Sequence, residues 1–259
     1  MPFIDSHAHL TSDDFSDDEI ETILQAASLA GVEKIVNICT DKKSLERAVH
    51  LKERFPQIYL TGSTTPHDVE KEGEAFFPIF EQAAKDGQLV AIGETGLDYY
   101  YEHSNRKVQL EFARRYFTLA LENKLPIVIH CREAFADLIS LIDQEFPQFG
   151  KTLPGILHCF TGTLEEAKSL LERGWYISLS GIVTFKKSVA LQEVASYVPL
   201  DHLLIETDSP YLAPQSKRGK RNEPSYLPET GRFIAQLKGI DVQEVAKATW
   251  NNTQTAFSL

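Results

Sequence analysis

The chain has 259 residues, a length that suits one closed α/β barrel of ~250 residues better than two small domains. With 42% hydrophobic and 24% charged residues it reads as globular, no apolar run nears the ~20 residues of a membrane span, and MPFIDSHAH lacks the basic-then-apolar pattern of an export signal. A net charge of −11 disfavours broad gripping of duplex nucleic acid, and three cysteines within apolar runs (Cys39, Cys131, Cys159) point to reduced thiols, so a cytoplasmic protein with no membrane attachment and no obligate protein partner is expected.

In chain order, strands are predicted over 3–7, 34–39, 58–63, 89–94, 126–131, 155–159, 175–180 and 202–208. Runs such as IVNIC, LVAIG, IVIH and LLIE are apolar almost throughout, as in strands buried on both faces of a parallel sheet. Helical periodicity fills the intervals, for example over 19–30, 43–54, 107–123 and 164–173, and Gly31, Gly87 and Gly174 fall where helices should stop. The acidic cluster from Asp13 to Glu19 reads as a solvated first helical turn. A last helix over 241–257 opens with Asp241 and Glu244 at capping-box spacing. Eight repeats of strand and helix predict a single (β/α)8 TIM barrel domain over residues 1–259 with an additional C-terminal helix; a doubly wound open sheet is the weaker alternative.

In such a barrel the C-terminal ends of the strands carry function. His7 and His9 fall at the end of the first predicted strand, Glu94 at the fourth, His130 at the fifth, His158 at the sixth and Asp208 at the eighth, while Thr65 and His67 follow the third. Each has an ordinary reading when taken singly: a histidine satisfied within a barrel, Glu94 as a turn cap, Asp208 as an N-cap before Ser209 and Pro210. Six such groups at the same end of different strands are expensive to desolvate unless they share a cation, so a metal site is expected. His50 and His202 read as structural, and His103 is left open.

These residues lie in motifs that resemble the TatD family of metal-dependent deoxyribonucleases, a branch of the amidohydrolase superfamily. The resemblance rests on IDSHAHL, AIGETGLDY, PIVIHCR, GILHCFTG, ISLSGIVTFK, IETDSPYLAP and RGKRNEP, in that order along essentially the whole chain. It implies two divalent cations (zinc, manganese or magnesium), with His7, His9 and Asp208 on one, His130 and His158 on the other, and Glu94 bridging them. One position departs: the family has His-Pro-His after the third strand, and this chain has Thr65-Pro66-His67. The resemblance implies that this position lies beside the substrate phosphate rather than among the metal ligands, so metal binding is expected to survive the substitution.

The expected chemistry is hydrolysis of phosphodiesters by a water activated between two cations, with Asp208 as ligand and proton acceptor and Glu94 setting the spacing. DNA ends or single strands are the expected substrate. His67, Arg132, Arg218 and Arg221 are the candidate phosphate contacts, helped by Lys186, Lys187, Lys217 and Lys220. Tyr99, Tyr100, Tyr101, Phe160 and Phe185 are candidates for stacking on bases, and barrel packing explains any one of them equally well. The competing readings are a hydrolase of small phosphoesters, lactones or cyclic amides, which the carboxylate bridge and RGKRNEP disfavour, and a scaffold with vestigial metals.

Overall fold

All eight predicted strand segments form strands, and they pair in parallel in sequence order: β1 (Phe3–Ala8), β2 (Val32–Cys39), β3 (Ile58–Gly62), β4 (Ala91–Asp98), β5 (Ile127–Arg132), β6 (Gly155–Leu157), β7 (Tyr176–Leu179) and β8 (Leu203–Ile205). The computed structural model describes residues 1–259. The sheet curls until its edges meet. Asp208 N–H donates to His7 O at 2.9 Å, His9 N–H to Ser209 O at 2.7 Å and the Ser6 hydroxyl to Ile205 O at 3.0 Å, so the last strand segment lies against the first. The result is a (β/α)8 barrel.

The helices are α1 (Asp17–Leu29), α2 (Lys42–Arg54), α3 (Val69–Lys85), α4 (Arg106–Asn123), α5 (Phe135–Glu145), α6 (Leu164–Glu172), α7 (Val189–Tyr197), α8 (Leu227–Lys238) and α9 (Val242–Phe257). Capping fixes several starts: the side chains of Asp41 and Thr163 accept from the backbone N–H groups of Ser44 and Glu166, and Asp241 and Glu244 form the expected capping box. No helix is long and apolar enough to cross a membrane.

The fourth strand differs from the sequence expectation. It does not end at Glu94 but continues to Asp98, with a register shift against β5 between Ile92 and Thr95. Gly96 permits this continuation: its φ is 137°, and a Cβ there would lie 2.0 Å from His130 O. Glu94 therefore sits at a kink inside the strand. By contrast β6 and β8 stop early, leaving His158 and Asp208 just beyond their ends.

The main core lies between the strands and the helical ring, with Phe80, Phe117, Phe149 and Trp175 fully buried there. A smaller cluster fills the barrel itself: Val36, Ile38, Ala91, Val128, Ile156 and Leu204, joined by Ala256 and Phe257 from the end of α9. The C-terminal helix is thus part of the core that closes the barrel. Phe257→Ala removes a ring that is 1% exposed and leaves a hole among strand residues with little freedom to collapse, so a loss of about 3–5 kcal/mol is expected. Denaturant unfolding checks this; a loss below 1 kcal/mol would mean that α9 merely covers the barrel.

Candidate metal centre

Side chains on a strand alternate faces, so the apolar residues that fill the barrel identify which polar residues share their side. Val128 is two residues from His130, Ile156 two from His158, and Leu204 two from Glu206 and four from Asp208. The same alternation that packs the lower barrel delivers imidazoles and carboxylates to its upper end. His7, Glu94, His158 and Asp208 are buried, and His9 and His130 are half-buried.

Glu94 sits at the centre, and its two oxygens face different histidine pairs. Oε2 lies 3.3 Å from His7 Nε2 and 3.5 Å from His9 Nε2. Oε1 lies 3.2 Å from His130 Nδ1 and 3.0 Å from His158 Nε2. Asp208 Oδ1 completes the first group, 3.6 Å from His7 Nε2 and 3.3 Å from His9 Nε2. The rings of His7 and His158 stack at 3.9 Å with 5° between their planes.

The donor set fits divalent cations. His7 Nε2 and His9 Nε2 face each other at 3.3 Å, although two neutral imidazoles share at most one proton across such a contact. Ligands about 2.0–2.1 Å from a tetrahedral ion stand about 3.3 Å apart, the spacing seen around Glu94 and Asp208. Two triads lie within ligand range of one another, His7/His9/Asp208 and His7/Glu94/His158, and a third comprises His67, Asp98 and His130.

The electrostatics are those of a charged cluster withdrawn from water. Burial alone would raise Glu94, but the charge on His158 and hydrogen bonds from His130, His158 and His7 hold its carboxyl well below the usual range. Burial opposes protonation of His158, yet Glu94 and Glu206 push its imidazole well above its ordinary value; for His130 burial is likewise outweighed, and Asp98 with Glu94 raises it. His7 goes the other way, lowered by burial and by the charge on His158.

Three buried carboxylates escaped the sequence reading. Asp98 Oδ2 accepts from His130 Nε2 at 2.9 Å, and despite burial its pKa falls to about 2 through that bond and the Tyr101 N–H. Glu206 Oε1 lies 3.4 Å from His158 Nδ1 and accepts the Cys159 N–H at 2.7 Å. Asp5 accepts both the N–H and the hydroxyl of Thr207, at 2.9 and 2.6 Å; burial outweighs those bonds and lifts its pKa to about 7. A usable signal existed for two of them: Glu206 and Asp98 lie two and four residues from Asp208 and Glu94, the even spacing that alternation places on one strand face.

Around the mouth the candidates separate. His67 Nε2 is 3.7 Å from Asp98 Oδ2, its ring is 5.4 Å from that of His130, and His103 lies 5.4 Å away on its other side. Thr65, where the family has histidine, donates its hydroxyl to Asp68 at 2.9 Å. Arg132 lies over Tyr100 and Tyr101 at 3.8 and 4.7 Å, both rings half-exposed. Arg218 is exposed, 5.4 Å from the Phe185 ring. Arg221 is already engaged: it donates to Glu19 at 2.8 Å and to Asp14 O at 2.6 Å, and lies over Phe15. That exposed pair is screened by solvent, which leaves it open to displacement by a phosphate. Two aromatic expectations need correction. Phe160 is 1% exposed against Phe135, so its ring has no free face for a base, and Tyr99 is held by Asp137 and Arg106.

Known proteins are similar to this chain over its whole length. YabD of Bacillus subtilis, named an uncharacterized metal-dependent hydrolase, is 36% identical over 255 residues, 98% of each chain. A Citrobacter rodentium protein named 3'-5' ssDNA/RNA exonuclease TatD is 34% identical over 264 residues, covering 98% of this chain and 97% of that one. The crystal structure of the Escherichia coli TatD homologue YjjV superposes with a TM-score of 0.91 at 29% identity, covering 99% of this chain and 98% of the other. The family model described as TatD related DNase matches residues 4–258, and the chain, a barrel with histidines and carboxylates converging at its mouth, belongs to the TatD-related DNase family.

Proposed function

We propose that this protein is a metal-dependent hydrolase of phosphodiester bonds, acting as a deoxyribonuclease on single strands or DNA ends. One observation carries the reading: the two oxygens of Glu94 each face a separate histidine pair, the disposition a bridging carboxylate needs. On this reading His7, His9 and Asp208 would hold one divalent cation, His130 and His158 a second, and Glu94 would serve both. Such cations would supply Lewis acidity, polarising a phosphate and making water a better nucleophile. Nitrogen-rich donors suit zinc or manganese better than magnesium.

The chain's own groups supply the rest. Asp208, at the rim with its carboxylate toward His9, accepts the proton of the attacking water. His67 and Arg132 border the metal group and hold the phosphate, with Arg218 and a displaced Arg221 reaching the flanking phosphates. Tyr100 and Tyr101 offer half-exposed rings on which unpaired bases stack, which favours a single strand over a duplex. The name of the Citrobacter rodentium relative, a 3'-5' ssDNA/RNA exonuclease, supports the same substrate class.

End-labelled single-stranded and duplex DNA, incubated with zinc, manganese or magnesium and then with chelator, tests this. Cleavage of the single strand that chelation abolishes is expected; turnover of small esters or lactones far above DNA would overturn the nuclease reading. A pH effect accompanies it. The imidazoles of His158, His130 and His9 are held above their ordinary value, so protons compete with a cation for the same nitrogens. Metal affinity should therefore rise as pH is raised through those elevated values, with protons released on binding. Calorimetry in buffers of different ionisation enthalpy measures both, and a pH-independent affinity would contradict the ligand assignment.

A further inference from the structure

Asp98 connects the His130 ring to the loop that carries Tyr100 and Tyr101. Its Oδ2 accepts from His130 Nε2 at 2.9 Å, on the side of the ring opposite the Nδ1 that faces Glu94. Its Oδ1 accepts the backbone N–H groups of Tyr100 and Tyr101 at 3.0 and 2.8 Å. The Asp98 backbone is pinned in turn by Gln109, whose side chain accepts from Asp98 N–H at 2.7 Å and donates to Asp98 O at 3.0 Å. The carboxylate is buried and rigidly held.

We infer that Asp98 is a positioning residue: it keeps the His130 proton on Nε2, so that Nδ1 presents a lone pair beside Glu94, and it ties the Tyr100–Tyr101 loop to that ligand. This inference rests on the metal reading given above. A metal-binding histidine needs a fixed tautomer, and an acceptor on its far nitrogen provides it. The contrast with His7 is informative, because its far nitrogen Nδ1 is buried with no partner. On His130 the far nitrogen has a carboxylate at 2.9 Å, and the same carboxylate holds the loop that carries the two exposed rings.

Asp98→Asn separates the two roles. The Asn oxygen must stay toward the two backbone N–H groups, which directs its NH2 at His130 Nε2. That nitrogen then has to accept, the proton moves to Nδ1, and the lone pair facing Glu94 is lost, while the loop keeps its anchor. The experiment is manganese or zinc titration with metal counting on wild type, Asp98→Asn, His130→Ala and the double variant. Two ions in wild type, with one weakened on the order of 10–100-fold in Asp98→Asn, are expected. Excess metal should restore both occupancy and cleavage, which a merely misfolded variant would not allow. In the His130→Ala background the Asp98→Asn change should add nothing to the metal defect, as required if Asp98 acts through that ring. Two ions with unchanged affinity in Asp98→Asn would overturn the inference and leave the metal reading standing. A third ion in wild type, lost in Asp98→Asn, would overturn it by making Asp98 a ligand. Wild type without bound ions would overturn both readings together.

Discussion

Glu94→Gln should lower metal-dependent cleavage of single-stranded DNA by about 10³-fold or more while the protein remains folded, because two-cation stabilisation of a phosphoryl transition state is worth several kcal/mol and each 1.36 kcal/mol is tenfold in rate. The carboxylate is the one group on which both histidine pairs converge, within 3.0–3.5 Å. Glutamine is nearly isosteric, so packing is unchanged, but only one of its two ends is an oxygen. Its NH2 must face either His7 and His9 or His130 and His158, replacing an anionic ligand by a donor and weakening at least one cation. Loss of that buried negative charge also removes one of the two carboxylates that raise each of His158 and His130, the others being Glu206 and Asp98. Metal counting alongside single-turnover cleavage is the measurement. Full occupancy with full activity in Glu94→Gln would end the bridging assignment.

Asp208→Asn is the second large effect, and the choice of asparagine matters. Asp208 has φ 56°, in the left-handed region where Asp and Asn are tolerated and most side chains are strained. Its N–H also closes the barrel on His7 O at 2.9 Å. Asparagine preserves both features and changes only the charge and basicity of the group 3.3 Å from His9 Nε2. A proton acceptor contributes typically 10²–10⁴-fold to rate, so kcat should fall by about that factor. Added metal should recover whatever binding is lost through the weaker ligand without recovering kcat. If saturating metal returns kcat to the wild-type value, Asp208 is a ligand only and another group takes the proton.

The sequence was most informative where the relevant physics is local. Apolar runs such as IVIH and LLIE, glycine stops after α1 and α3, and the Asp241–Glu244 capping box depend on near neighbours in the chain, and the corresponding strands and helices formed within a few residues of expectation. The same locality misplaced the end of β4. Whether Thr95 to Asp98 remain in the strand is decided by pairing with Ile129 to Arg132 on β5, about 34 residues away, and by backbone room that only Gly96 leaves. Phe160 was misjudged for a related reason, since an aromatic beside a metal-ligand motif looks available until the packing of Phe135 against it is known.

By itself the amino-acid order determined the repeating β/α architecture and the chemical kind of the site, because imidazoles and carboxylates at successive strand ends follow from residue type and a two-residue period. Tertiary structure alone decided which atoms meet: that the oxygens of Glu94 divide between two histidine pairs, that Asp98 backs His130, that Glu206 approaches His158, and that Arg221 is occupied by Glu19. Those pairings join strands far apart along the chain, as between Asp5 and Thr207, and they exist only once the barrel closes on itself. Closure sets distances to tenths of an ångström between groups that share no local pattern, and hydrogen-bond and ligand chemistry depends on distances of that size.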